Sequence, residues 1–473
     1  RSTMTPLRFG LVLLVLMTLA QVQLCLNGAH LSREIMKEKL NAEANGGKLW
    51  VFLCAGSDGY DNYRHQADVY HAYQIIAKNH GLANTTILMA YDDIANAFGN
   101  KHKGVIINEP NGPNVYPGEA AHDYRREQVS RDNFLAVLTG DKSGVKGGSG
   151  RVLETDENDT IFVYFADHGG PGVIAFPQKF LVYQPLLSAE KVMAALKEMH
   201  AGNKYTRFTF FIEACFSGTM FDQLLDPSLN IYGMTAADPF ESSYACDYSK
   251  EFGTYLNDCW SIHWMDEVTA NAQEDLTELY SEVVSDTNTS HPCVYGDLAL
   301  GNDSISVFIG ADSSSSSLPP KKMEKRSHGA DAVSAHEVDR AILLRRLAHA
   351  ESAEEKKLLS MELRKERLNR LAVEDKVNLI LHKFTRDAAL REELMHPSDY
   401  ISSPGKCHRS SSDLAPRDCE LAAMDAFAEH CGLTSNYAYK HLTTMSNLCK
   451  RFQPSPATVT EAIRRSCFEA TRW

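Results

Sequence analysis

Two apolar runs end in residues able to do nucleophilic chemistry. Thr160-Ile-Phe-Val-Tyr-Phe165 runs into Ala166-Asp167-His168-Gly169-Gly170, and Phe208-Thr-Phe-Phe-Ile212 runs into Glu213-Ala214-Cys215-Phe216-Ser217-Gly218. If the two runs are neighbouring parallel strands, an imidazole and a thiol meet at their tips as candidate base and nucleophile. The thiol needs that base, because a free cysteine with a pKa of about 8.5 is mostly protonated at neutral or acid pH. Gly169, directly after the histidine, has no Cβ to shield its own N–H. Blander readings stand beside this one: a strand-terminal histidine held for structure, and a Cys215 that is half of a disulfide or a buried hydrophobe, as Cys54 is read.

The elements that must position this pair alternate along the chain. Short apolar runs at Leu49 to Cys54, Thr86 to Ala90, Gly104 to Ile107, Thr160 to Phe165, Phe208 to Ile212 and Leu229 to Tyr232 are separated by helical stretches, which predicts a mostly parallel sheet flanked by helices. In such sheets chemistry sits beyond the carboxyl ends of the strands. From Ala311 to Ala332 the composition changes, with serines at Ser313 to Ser317, Pro319-Pro320 and a basic stretch through Arg326, which reads as a linker. His336 to Glu393 carries apolar residues at helical spacing, and Ser402 to Gly405 separates it from a cysteine-rich end.

The formal net charge of −13 is spread along the 473 residues and leaves no basic footprint, so nucleic acid is not an expected partner. Arg1 and Arg8 before the apolar run Leu11 to Ala20, with small residues at Asn27-Gly28-Ala29, describe a signal peptide over 1–29. No run reaches bilayer-spanning length. Four Asn-x-Ser/Thr sequons, at Asn84, Asn158, Asn288 and Asn302, are candidate glycosylation sites and fit passage through the secretory pathway. Of 11 cysteines, Cys407, Cys419, Cys431, Cys449 and Cys467 crowd the C-terminal end, as disulfide stapling in an oxidising compartment requires.

Five segments in order, Ala55-Gly-Ser-Asp-Gly-Tyr-Asp-Asn-Tyr-Arg-His-Gln-Ala-Asp68, Tyr164 to Gly169, Ile212 to Cys215, Glu241 to Cys246 and Thr254 to Asp258, resemble the legumain family. These are asparaginyl cysteine endopeptidases of caspase-like α/β fold. The resemblance runs from Lys48 to the C-terminus and is weakest in the linker. It implies Cys215 as nucleophile, His168 as proton carrier, Asn62 as its orienting partner, and the N–H groups of Gly169 and Cys215 as oxyanion donors. It further implies a pocket of Arg64, Glu213, Ser243 and Asp258 for an asparagine side chain, whose amide offers one acceptor and two donor hydrogens. Asp167 matches a position tied to ligation, in which an amine takes the place of water. No cofactor and no metal are implied.

On the same resemblance the chain divides into the signal peptide 1–29, an N-terminal propeptide 30–45, a peptidase domain 46–310, a linker and activation region 311–340 and an all-α prodomain 341–473. The prodomain is expected to cap the site, with Cys419 paired to Cys449 and Cys431 to Cys467. A Cys246–Cys259 bond, found in some branches, would stiffen one pocket wall. Cys54, Cys293 and Cys407 are left without an evident partner. Phe216 stands where many relatives carry glutamate, and Leu347 to Glu354 lacks the expected asparagine, so Asn45, Asp331 and Asp339 become candidate cut sites. The implied partners are proteins and peptides with exposed asparagine, the chain's own prodomain and cystatin-type inhibitors. The implied location is the secretory pathway, with an acidic lysosome- or vacuole-like compartment or secretion as its end. Two other readings are a transamidase that attaches lipid anchors, which expects a membrane span, and a catalytically silent binding protein, which needs none of the five charged or reactive residues.

Overall fold

Continuous runs of Val, Ile, Leu and Phe with no turn residue form the centre of the molecule, because only strands covered on both faces can bury them. The computed structural model describes residues 46–79, 81–177, 185–310, 328–395 and 405–470. The signal peptide, the N-terminal propeptide with Asn45 and the serine run therefore lie outside the described residues. Strands β1 (Leu49–Ala55), β2 (Thr86–Met89), β3 (Thr160–Ala166), β7 (Arg207–Glu213), β8 (Ile231–Thr235) and β11 (Cys293–Gly296) form one sheet in the order β11-β8-β7-β3-β1-β2. All neighbours are parallel except β11, which pairs antiparallel with β8 at the edge.

Alternation along the strands feeds two cores. Val51, Leu53, Phe162, Tyr164 and Phe211 face helices α1 (Tyr63–Tyr73), α4 (Cys259–Ala270) and α5 (Leu276–Asp286), which bury Trp260 and Trp264. Phe52, Cys54, Ile161, Val163, Phe208 and Phe210 face α2 (Arg131–Thr139) and α3 (Ala189–Ala201). Cys54 is thus a buried free thiol packed as a small hydrophobe. Two small sheets flank the centre: β4 (Gly169–Gly170), β5 (Val173–Ala175) and β6 (Leu186–Ser188), and β9 (Tyr244–Ser249) between β10 (Thr254–Asp258) and β12 (Val333–Ser334). The sheet-bearing part closes with the short α6 (Ser306–Ile309).

The C-terminal part is built from helices: α7 (Val338–His349), α8 (Ala353–His382), α9 (Ala388–Met395), α10 (Arg417–His430), α11 (Asn436–Phe452) and α12 (Pro456–Ala470). Its own core, with Val377, Ile380, Phe427, Leu442, Leu448 and Ile463, continues into Val173, Ala175 and Leu186, so the helical part is packed on the β4–β6 sheet. Bonds Cys419–Cys449 and Cys431–Cys467, closing sequence separations of 30 and 36, staple α10 to α11 and α12. In a chain-entropy view each constrains the unfolded state by about 3–4 kcal/mol.

Three features differ from the sequence expectation. Gly104 to Ile107 is not a strand, because its backbone is satisfied elsewhere: Ile106 N–H donates to Asn114 Oδ1 and Ile107 exchanges bonds with the Tyr63 hydroxyl. Cys293 and Cys407 have a partner after all, each other. Residues 328–337, which fall in the expected linker and activation region, do not hang free but add to the edge of β9, with Val333 opposite Ala245 and Ser334 opposite Tyr244.

Candidate active site

The register of β3 on β7 decides where the candidate pair falls. Ala166 lies opposite Glu213, so His168 and Cys215 each emerge two residues beyond the last paired position. Asp167 N–H bonds the Glu213 carbonyl at 3.1 Å and ties the two turns together. A Cβ on Gly169 would lie 2.5 Å from the Cys215 carbonyl oxygen, so only glycine allows the approach. Phe216, next in the chain, is held at φ 55°, a left-handed conformation that a bulky residue adopts only where its surroundings impose it.

Hydrogen bonding assigns the histidine tautomer. Asn62 Nδ2 donates to the Asp58 carbonyl at 2.9 Å, which leaves Asn62 Oδ1 to accept from His168 Nε2–H at 3.0 Å. The other ring nitrogen, Nδ1, therefore carries the lone pair, and it is buried with no hydrogen-bond partner among the described residues. Cys215 Sγ sits 3.2 Å from Ser242 Oγ and 3.7 Å from Ser243 Oγ. Its own N–H donates to no described group.

Beneath the pair is a cluster of buried charges. Arg64 leaves α1 with no exposed surface and donates through Nε to Asp258 Oδ1 at 2.7 Å. Glu213 Oε2 accepts from Ser261 at 2.9 Å, and Asp258 N–H donates to Asp68 Oδ2 at 3.1 Å. Arg64 Nη2, Glu213 Oε1 and Asp258 Oδ2 are buried without a hydrogen-bond partner among the described residues, with His65 Nε2 lying 3.6 Å from Asp258 Oδ2. Buried polar groups are almost always hydrogen-bonded, so one donor and two acceptors left over in the same cluster mark a site able to take a polar ligand. Burial, reinforced by the charge of Asp258, pushes Glu213 well above the usual carboxylate range, and burial also raises Asp258 against the opposing pull of Arg64.

Asp167 and His65 back the cluster. His65 Nδ1 meets Ser57 Oγ at 2.7 Å and lies 3.4 Å from Asp167 Oδ1. Burial pushes Asp167 well up and His65 well down, which disfavours the charged form of each. His65, Asp167 and His168 are close enough to share a cation, as are Asp238, Glu241 and His291, but in the second group Glu241 already bonds the His291 ring at 2.9 Å.

The arrangement is covered. Tyr439 of α11 stacks on His168 at 4.5 Å between ring centroids, and Leu442 presses on Gly170. Ala335 N–H bonds the Ser243 carbonyl at 3.0 Å, Ser334 meets Ser242 Oγ at 2.9 Å, and His336 stacks on Phe216. Asp339 accepts both the N–H and the side-chain amide of Asn436, at 3.0 and 2.7 Å. Arg417 of α10 forks onto Glu190 and bonds the carbonyl of Gly172 at 2.6 Å. A cavity of about 660 Å³ remains beside His168, lined by Gly56, Asp167, Phe176, Asn436 and Tyr439 among others.

Sequence reasoning assigned no role to Ser242, His65, Asp68 and Ser261, nor to the covering side chains His336, Asn436 and Tyr439. Arg64, His65 and Asp68 do share a signal: charged residues at adjacent and i+4 positions of one helix all fall on its buried side, which is rare without a site. The covering residues carry no such signal. Asn84, Asn288 and Asn302 are exposed and Asn158 is half-buried. The bond Cys246–Cys259 ties β9 to the start of α4 beside Asp258.

Comparison with known proteins places the whole arrangement in a family. The model of the Peptidase C13 family matches residues 49–311. Legumain of Homo sapiens is 37% identical over 417 residues, covering 87% of this chain and 91% of the relative. The vacuolar-processing enzyme of Vicia sativa is 32% identical over 490 residues, covering 98% of this chain and 96% of the relative. The delta-isozyme of Arabidopsis thaliana is 34% identical over 442 residues, covering 89% and 90%.

Proposed function

Since the chain belongs to the peptidase C13 family and is a cysteine endopeptidase acting on proteins and peptides, we propose that it cuts after asparagine and is made as a zymogen. The orphan set in the buried cluster carries the first part of this reading. Arg64 Nη2 donates to the side-chain carbonyl of asparagine, while Glu213 Oε1 and Asp258 Oδ2 accept its two amide hydrogens, and Ser243 lines the same pocket. An apolar side chain would leave all three buried groups unpaired, which costs far more than a missing methylene.

With the substrate amide seated, His168 Nδ1 takes the thiol proton and Cys215 Sγ attacks the scissile carbonyl. The N–H groups of Gly169 and Cys215 hold the oxyanion. Collapse to the thioester expels the amine, which leaves with the proton held on His168, and water then attacks the thioester by the reverse sequence. An incoming amine in place of water reseals a peptide bond, and Asp167, next to His168 in the chain, is the group we expect to influence that choice.

Latency follows from burial. Under the cap, burial raises the Cys215 thiol and pushes the His168 imidazole well down, with help from Arg64 and His336, so the pair rests as thiol and neutral imidazole. Removing Tyr439 from the ring rehydrates it and restores its basicity. Acid acts on the cap in two senses. Burial alone would raise Glu190, but the Arg417 bonds and charge outweigh it and hold its carboxyl low. That contact stabilises the covered form above the ordinary glutamate value and is lost as pH falls through the lowered one. Asp339 works the other way, since burial and the charge of Asp61 push it up to about 7, so it favours the covered form in acid. Cutting of the chain, and not acid alone, is then the committing step. Glu190→Gln is expected to raise the residual activity of uncut protein at pH 6 by up to about fivefold, the worth of one partly exposed ion pair; an unchanged zymogen would remove that contact from the account.

The signal peptide 1–29, the propeptide 30–45, glycans at the four surface sequons and an acidic compartment of the secretory pathway complete the reading. Protein partners are substrates with exposed asparagine and cystatin-type inhibitors. The test is turnover of paired peptides that differ only in Asn or Gln at the cut position, using processed protein. The pocket predicts an Asn preference of about 10–200-fold, the range for one methylene in a fitted site; a ratio near one sinks it. On Asp peptides, turnover relative to Asn is expected to rise as pH falls, by up to about tenfold per pH unit, as the raised pocket carboxyls of Glu213 and Asp258 take up protons and cease to repel the aspartate side chain. A flat ratio would contradict that protonation.

A further inference from the structure

The Cys293–Cys407 bond joins the peptidase to the approach of the cap across a sequence separation of 114. Cys293 is fully buried in the edge strand β11. Around Cys407 the chain is fastened to the peptidase: Tyr295 donates to the Cys407 carbonyl at 2.8 Å, Gln223 to the Arg409 carbonyl at 2.6 Å, and Arg409 Nε reaches Asp222 Oδ2 at 2.9 Å. From there residues 410–416 run largely exposed, with one short turn at Ser411–Asp413, to Arg417 at the start of α10. Both C-terminal cut candidates, Asp331 and Asp339, lie inside the loop that this bond closes.

A single cut anywhere between residues 293 and 407 therefore opens the chain without detaching the cap. We propose that the segment His408 to Pro416 is a second processing site, and that the zymogen is freed only when this segment is cut as well, the Cys293–Cys407 bond holding the once-cut protein in a latent two-chain form. This inference rests on the zymogen reading above. A short tether keeps the cap at an effective concentration on the order of millimolar, so even a micromolar intrinsic contact stays occupied about 99.9% of the time. The cut itself is hydrolysis, in which the peptide C–N bond breaks, the acyl carbon gains OH from water and the new amine gains the hydrogen. Asp413 is the single Asn or Asp between Cys407 and Arg417, which makes Asp413–Leu414 the bond that the enzyme's own acid specificity would select.

The experiment follows processing of the full chain in acid, with activity, electrophoresis with and without a dithiol reductant, and N-terminal sequencing of every fragment. The proposal expects a once-cut species that migrates as one band unless reduced and has about 1% or less of final activity. Full activity should appear together with a free cap beginning within residues 408–417; a start at Leu414 assigns the cut to the enzyme itself, and any other start in that range assigns it to another peptidase. In Cys407→Ser, the first cut alone should release the cap and give full activity. A free cap from the unreduced wild type that still contains Cys407, or a once-cut disulfide-linked form already fully active, overturns the proposal. Uncut protein as active as processed protein would instead refute the zymogen reading.

Discussion

Cys215→Ala is expected to abolish turnover of every peptide, by about 10⁴-fold or more, while leaving the fold unchanged. Loss of a nucleophile removes the covalent route altogether, and what remains comes from binding and oxyanion stabilisation. The side chain is small and its sulfur touches two serine hydroxyls, so truncation leaves a minor gap and a melting temperature within a few degrees of wild type. Cys54→Ala is the matched control. That thiol is equally buried but lies in the core facing α2 and α3, and its loss should cost about 1 kcal/mol of stability with activity intact. A Cys215→Ala enzyme retaining a tenth of wild-type activity would remove Cys215 from the nucleophile's role.

Arg64→Gln is expected to have the second largest effect. The guanidinium is fully buried and is the single cation among the pocket groups Arg64, Glu213 and Asp258. Its removal strands Asp258, and breaking a buried pair by deleting one partner costs about 3–5 kcal/mol of stability. It also takes away the donor for the asparagine carbonyl, so kcat/KM on Asn peptides should fall by about 10–150-fold, the equivalent of one charged hydrogen bond. Because the variant can fail on stability alone, Glu213→Gln gives an independent reading. It keeps the shape and the Ser261 contact but can turn an amide donor toward the substrate amide, and it should lose selectivity for Asn over Gln while Tm holds within a few degrees. Both variants with unaltered selectivity would place the recognition elsewhere.

How much of this was legible depended on how local the determinants are. The central sheet was readable because each strand is a continuous apolar run, and the candidate dyad because His168 and Cys215 follow such runs at the same offset, an offset that the Ala166–Glu213 register preserves. Gly104 to Ile107 misled because β-branched residues report burial as much as pairing; here Ile106 and Ile107 are buried while the Tyr63 hydroxyl and Asn114 satisfy the backbone. The Cys293–Cys407 bond could not be read because a pairing across 114 residues leaves no trace in spacing. Residues 328–337 read as linker by position, yet they dock because β9 presents an open edge and because His328, pushed up to about 9 chiefly by its Asp247 and Asp266 bonds against the cost of burial, anchors their start. Ser242, Asn436 and Tyr439 matter only through tertiary contacts.

The most direct measurement is covalent capture. Processed protein is treated with two peptide electrophiles that differ only in carrying Asn or Gln at the cut position, and the adduct is located by peptide mass mapping. The account predicts a single adduct on Cys215 from the Asn probe, little from the Gln probe, and none on Cys54. An adduct on another residue, or equal capture of both probes, would contradict it.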